Sequence, residues 1–214
     1  MTPKPRKRQQ LTRERIVRTA LRIVDREGLS ALSMRRLGAE LQVDPMAVYY
    51  YLESKDALLD AIVEAVMSEI DLGVDDPAAP TEERVLRAAR EYRDVLFAHA
   101  NALPILLDRS PSTPAGLRPV ELLVGILRDA GLPPSQVMGG MNAIAASVRG
   151  TVSMIAGRPI APLNAVDRAA FAEQLPDGEF PNLRAAFLCP PDVDADFEFG
   201  IRAIARGLVA SIER

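Results

Sequence analysis

An all-α fold follows from three observations on the 214-residue chain. Aromatic residues make up only 5% with no Trp, while Ala, Leu and Arg abound, a balance that favours helix over strand. Apolar residues recur at spacings of three and four in segment after segment. Ser, Thr or Asp stand ahead of these segments and Gly or Pro behind them, as helix ends require. Hydrophobic content of 48% and charged content of 26% are ordinary for a soluble globular protein. The expected division is a basic, disordered arm over residues 1–10, a small helical domain over 11–72 and a larger one over 80–214.

In the small domain, Thr12 caps a helix running to about Glu27, with Ile16, Ala20, Ile23 and Val24 as its inner stripe and Gly28 as its stop. Residues 29–32 link it to two short helices. Ser33 caps the first, and Asp44 followed by Pro45 opens the second. Only Gln42 and Val43 separate them, so they form a tight corner clamped by Leu37, Leu41, Val43, Val48 and Leu52. That leaves Pro45, Met46, Ala47, Tyr49 and Tyr50 facing outward, a surface that solvent does not favour and that suits a partner. Ser54 then caps a longer helix from Lys55 to about Leu72, striped by Leu58, Leu59, Ile62, Val66 and Ile70. Gly73 and the Pro-rich residues 75–80 break the pattern.

In the larger domain, helices are expected over 81–98, in a short apolar piece over 103–107, over 119–130, over 135–157 and over 192–213, with breakers at 110–114 and 131–134. Residues 158–191 are Pro- and Gly-rich, with one short helix expected at 167–174. The 135–157 helix has two unlike faces. Val137, Met141, Ile144, Val148, Val152 and Ile155 are large; Gly139, Ala143, Ala146, Ser147, Gly150 and Gly157 are small. Large residues fill a domain's own core, whereas small ones let another helix approach closely. With Phe197, Ile201, Ile204, Leu208 and Ile212 striping the last helix, two helices from each of two chains can form a four-helix homodimer interface.

Several chemistries are absent. The lone cysteine, Cys189, excludes an internal disulfide and a cysteine-cluster metal site, and fits a reducing, cytoplasmic setting. No apolar run approaches the roughly 18 residues that span a membrane. There is no Gly-rich phosphate loop, metal-ligand cluster or Ser–His–Asp set, so neither an enzyme nor a cofactor is expected. His99, the sole histidine, reads as a helix-end residue or a pocket hydrogen-bonder. Arg149, inside a long apolar helix, reads as a dimer pair, a ligand-binding cation or a side chain reaching solvent along its stem. The net charge of −3 hides a split. Residues 1–55 hold 12 basic and 6 acidic side chains, a net +6, leaving −9 on the rest. A basic head carrying a helix–turn–helix points to double-stranded DNA, with the second helix in the major groove.

The run LSMRRLGAELQVDPMAVYYYLESKDALLDAI, with Ile16, Ala20, Leu21 and Gly28 upstream, resembles the N-terminal domain of TetR-type (tetracycline-repressor family) transcriptional regulators. The resemblance implies a homodimer that binds a palindromic operator and releases it when a small molecule enters the C-terminal domain. It further implies that Arg35, Pro45, Met46, Ala47, Tyr49, Tyr50, Tyr51 and Lys55 supply base and phosphate contacts. Tyr51 stands where the family often has histidine, and Gln42 where the turn often has glycine. The histidine that helps hold metal–tetracycline has no counterpart, so a mostly apolar effector without a metal is expected. Its pocket is drawn from Tyr92, Leu96, His99, Leu103, Leu107, Leu123, Met138, Met141, Asn142 and Arg149, residues that suit a plain core equally well. An activator, a ligand-independent regulator, and an all-helical binding protein or enzyme remain the alternatives.

Overall fold

The computed structural model describes residues 10–156, 165–176 and 178–212, and every regular element among them is helical. The α-helices are α1 (Arg13–Glu27), α2 (Met34–Leu41), α3 (Pro45–Tyr49), α4 (Lys55–Met67), α5 (Thr81–Ala98), α6 (Leu103–Asp108), α7 (Pro114–Asp129), α8 (Pro134–Ile155), α9 (Ala165–Gln174), α10 (Pro181–Leu188) and α11 (Val193–Ala210). Short 3-10 turns lie at Leu29–Ala31, Leu72–Val74 and Ala100–Ala102. The arm before Gln10, Gly157, residues 158–164 and Glu213 lie outside the described residues. Among the described residues, no helix is long and apolar enough to cross a membrane.

The chain forms two compact units that do not follow its order. The first runs through Ile70 and also takes in His99–Pro119; the second comprises Asp71–Ala98 and Val120 onward. Residues 99–119, expected with the larger domain, group with the helix–turn–helix.

In the first unit α1 packs on α4 and α2 on α3, with the Ala100–Ala102 turn against α1 and α6 against α4. The expected stripes are the core: Ile16, Ala20, Val24, Leu37, Val48, Leu58, Ile62 and Val66 are fully buried. Each large aliphatic side chain contributes about 1.5–3 kcal/mol, which makes this core and not helix propensity the source of stability. In the second unit α5, α8 and α11 pack on one another. Val85, Leu86 and Leu96 of α5, Ile144, Val148 and Val152 of α8 and Ile201 of α11 are buried there. Arg84 is buried too, its guanidinium gripping both carboxylate oxygens of Asp75 at 2.8 Å and reaching Asp129 at 3.0 Å. That clamp fastens the segment before α5 to the end of α7.

Several boundaries differ from expectation. α4 ends at Met67 and α3 at Tyr49, so the second helix of the motif is only a turn and a half. α7 begins at Pro114, with Pro119 inside it. A proline in the second turn removes one backbone hydrogen bond without ending the helix. α10 was not expected; none of its residues is buried, so its sequence carries no stripe to read. Within the large face of α8, Met141 is only half-buried and Ile155 exposed, the latter because the helix stops there.

Candidate nucleic-acid interface

Side-chain caps position the helix–turn–helix. The Ser33 hydroxyl accepts from the backbone N–H of Arg36 at 3.1 Å, and an Asp44 carboxylate oxygen accepts from the N–H of Met46 at 2.8 Å. Pro45 occupies the first turn of α3, where an amide hydrogen has no helical partner. The corner needs two unusual backbone positions. Gln42 adopts φ 58°, and its N–H returns to Ala39. Gly38 lets the turn close on α2: a Cβ there would stand 3.0 Å from the Val43 carbonyl oxygen and 3.1 Å from the Pro45 nitrogen.

This corner presents an apolar and phenolic face to solvent. Tyr50 is 90% exposed, Met46 65%, Tyr51 42% and Tyr49 39%, while Val48 is fully buried and anchors α3 from behind. Pro45 and Ala47 are half-buried beside them. Arg35 and Lys55 are exposed and hold no ion pair among the described residues. Arg36, one position on, is instead engaged by Glu27 at 2.8 Å and Glu40 at 3.5 Å, so Arg35 is the α2 cation free to meet phosphate. The arrangement suits a duplex. Tyrosine hydroxyls and cations are groups able to reach backbone phosphates, and apolar side chains such as Met46 and Ala47 are able to meet base methyl groups.

Behind the face, α4 is held by a ladder of carboxylates that sequence reading did not pick out. Asp56 and Asp60 both bind the guanidinium of Arg109. One turn further, Glu64 accepts from the backbone N–H groups of Ser112 at 2.6 Å and Thr113 at 2.9 Å, and from the Thr113 hydroxyl. Burial opposes the Glu64 charge, but these donors outweigh it and keep the carboxyl below its ordinary range. The i, i+4, i+8 spacing of the three acids was the available signal. At the far end, the ring of buried His99 lies between Asp25 of α1 at 3.1 Å and Glu69 at 2.8 Å. Burial disfavours its charge, yet hydrogen bonds to Glu69 and Asp25 raise its pKa above the ordinary value.

The expected effector residues divide between the two units. His99, Leu103 and Leu107 belong to the first unit; Tyr92, Leu96, Leu123, Met138, Met141, Asn142 and Arg149 belong to the second. His99 has both ring nitrogens taken, leaving none for a ligand. Leu96 and Leu103 are fully buried, whereas Leu107 is exposed. Met138 and Asn142 lie exposed on α8 beside Gly139 and Ala143, on the helix's small face and not in its core. Tyr92 and Arg149 do meet, the Nε of Arg149 donating to the Tyr92 hydroxyl at 2.7 Å. A groove of about 390 Å³ in the first unit, floored by Val17, Leu21, Ala61 and Ala65, contains none of the expected effector residues.

Comparison with known proteins places both parts of the chain in one family. Residues 16–62 match the family model described as bacterial regulatory proteins, tetR family, and residues 76–212 match the tetracyclin repressor-like C-terminal domain. An HTH-type transcriptional regulator of Saccharopolyspora erythraea is 29% identical over 204 residues, covering 94% of this chain and 86% of that protein. The apo structure of ActR from Streptomyces coelicolor is 33% identical, superposes with a TM-score of 0.84, and covers 95% of this chain and 97% of its own. ActR in complex with actinorhodin is 32% identical with a TM-score of 0.83, covering 96% of this chain and all of that one.

Proposed function

The chain belongs to the tetR family of bacterial regulatory proteins, and from that premise we propose that it represses transcription by binding a palindromic operator as a homodimer and leaves the operator when a small, mostly apolar effector binds. As a member of that family it is a helix–turn–helix transcriptional regulator and not an enzyme. The observation that carries the proposal is the exposed face of Met46, Tyr49, Tyr50 and Tyr51, flanked by Arg35 and Lys55, which hold no ion pair among the described residues, on a scaffold whose caps and left-handed Gln42 aim it. Two such faces about 34 Å apart enter successive major grooves. The ActR complex with actinorhodin supports a ligand-responsive regulator of this architecture.

A second feature supports the dimer. Gly139 and Gly150 of α8 and Gly200 and Gly207 of α11 have open space where a Cβ would stand. A glycine inside a helix costs about 1 kcal/mol relative to alanine. Nothing among the described residues requires these glycines, whereas a partner helix approaching closely would.

A gel-shift assay with the DNA upstream of the protein's own gene tests the operator reading. Tyr50→Ala, which removes the most exposed ring of the face, should weaken binding by about 1–3 kcal/mol, roughly fivefold to a hundredfold, with the circular dichroism and melting temperature of the parent retained. Unchanged affinity would remove the tyrosine face from the interface. Failure of the parent to bind at low salt would sink the DNA reading.

A further inference from the structure

Arg149 differs from the ion-paired arginines of its unit. Arg84, Arg87, Arg90, Arg93, Arg202 and Arg206 each meet a carboxylate. Arg149 is half-buried on α8 beside the fully buried Val148, and among the described residues no carboxylate reaches it. Its contact is with Tyr92 of α5: the Nε hydrogen bond to the hydroxyl, and a guanidinium carbon 5.9 Å from the ring centroid. Several acids of the unit are engaged by these other arginines. Glu82 and Glu83 bind Arg202, Glu198 binds Arg90, and Asp194 binds Arg93.

A phenol oxygen and a ring face soften a half-buried positive charge but do not neutralise it. With Nε used, the Nη1 and Nη2 edge of the guanidinium keeps its hydrogens for another acceptor. The Tyr92 oxygen accepts from Nε, so its own O–H is free to donate. The pair therefore offers chiefly donors, on α5 and α8. An ionised carboxylate is acceptor-only and matches the end-on guanidinium edge with two parallel hydrogen bonds.

We propose that the effector is an organic carboxylic acid, whose carboxylate docks on the Nη1 and Nη2 edge of Arg149 with the Tyr92 hydroxyl as a further donor. This rests on the reading that the second unit takes the effector. A purely structural arginine here is the weaker account, because a leucine or methionine would fill an apolar seam without a charge to compensate.

Matched aromatic probes test it on the full-length dimer: 2-naphthoic and anthracene-2-carboxylic acids against the corresponding carboxamides. Binding is read from melting-temperature shifts over a concentration series, and operator release from the gel shift. The acids should bind at least tenfold more tightly than the amides. Arg149→Gln should erase that preference, Arg149→Lys should restore part of it, and Tyr92→Phe should reduce it a few-fold. Unliganded Arg149→Gln should melt at or above the parent temperature, since no carboxylate loses a partner. Amides binding as well as acids, a preference that survives Arg149→Gln, or no stabilisation by either acid at millimolar concentration would each overturn the proposal. The two readings fail separately. Acids held through Arg149 without loss of the gel shift leave this inference standing and remove ligand-driven release; release by the amides alone does the reverse.

Discussion

Gln42 occupies the one position among the described residues where a side chain is held at positive φ without being glycine. The left-handed region costs an L-residue about 1–2 kcal/mol, part of which glycine would give back in chain entropy. Gln42→Gly should therefore stabilise the protein by about 0.5–1 kcal/mol, seen as a higher urea midpoint with an unchanged slope. His99 acts through charge instead. Its pKa is raised in the folded protein above the ordinary 6.5, so the proton it holds between Asp25 and Glu69 stabilises the fold. That contribution is complete below the unfolded value and disappears as pH rises through the higher folded value. Melting temperature should fall as pH rises from 6 to 8, and His99→Gln should flatten this part of the curve. Neither residue's role was fully legible beforehand. The turn at Gln42 was readable because two residues leave a chain few ways to reverse. The partners of His99 were not, because Asp25 and Glu69 lie 74 and 30 residues away in sequence.

Helices were legible where a cap and a stripe coincided. Thr12, Ser33, Asp44, Ser54 and Asp192 each accept a backbone hydrogen bond at the start of the helix they precede. Where one of the two signals was missing, the reading drifted. Pro119 looked like a helix start because proline usually is one, yet α7 had begun at Pro114. α10 has a proline at its start but no buried face, so nothing in its pattern separates it from a loop. Arg84 is buried beside Val85 and Leu86 near the start of α5, outside the three-and-four spacing that marks a stripe, so nothing in the pattern announced its clamp. Arg84→Ala leaves the largely buried Asp75 without its partner. Breaking such a pair costs about 3–5 kcal/mol, and the exposure of Asp129 places the expected loss near the lower figure, readable in a denaturant titration.

At the scale of the whole molecule, the exposed tyrosine face was legible because its residues are few and unusual for solvent. The effector set was not, because one apolar helix face reads the same whether it lines a cavity or a core. Leu96 and Leu103 are fully buried, whereas Arg149 stood out as a charge among aliphatic side chains. The small stripe on α8 is the sequence feature behind the proposed homodimer. An arginine at Gly150 has room within a single chain, where nothing lies within 4 Å of the added Cβ. Gly150→Arg should therefore fold normally but sediment as a monomer at micromolar concentration and lose operator affinity. Sedimentation as a dimer would move the interface elsewhere.

The open glycines also bear on how much of the protein a cell must make. Each one weakens the lone helix that carries it, and in the proposed homodimer association would recover the loss. Pairing would then be part of folding, and its extent would follow mass action. At low copy number most chains would be single and hold one half-site weakly. As copies accumulated, the paired form would grow as the square of the free subunit, and operator occupancy would rise more steeply than the supply of protein. On that proposal, a helix surface built from residues with almost no side chain would be a counter, one that converts gene dosage into a threshold for silencing.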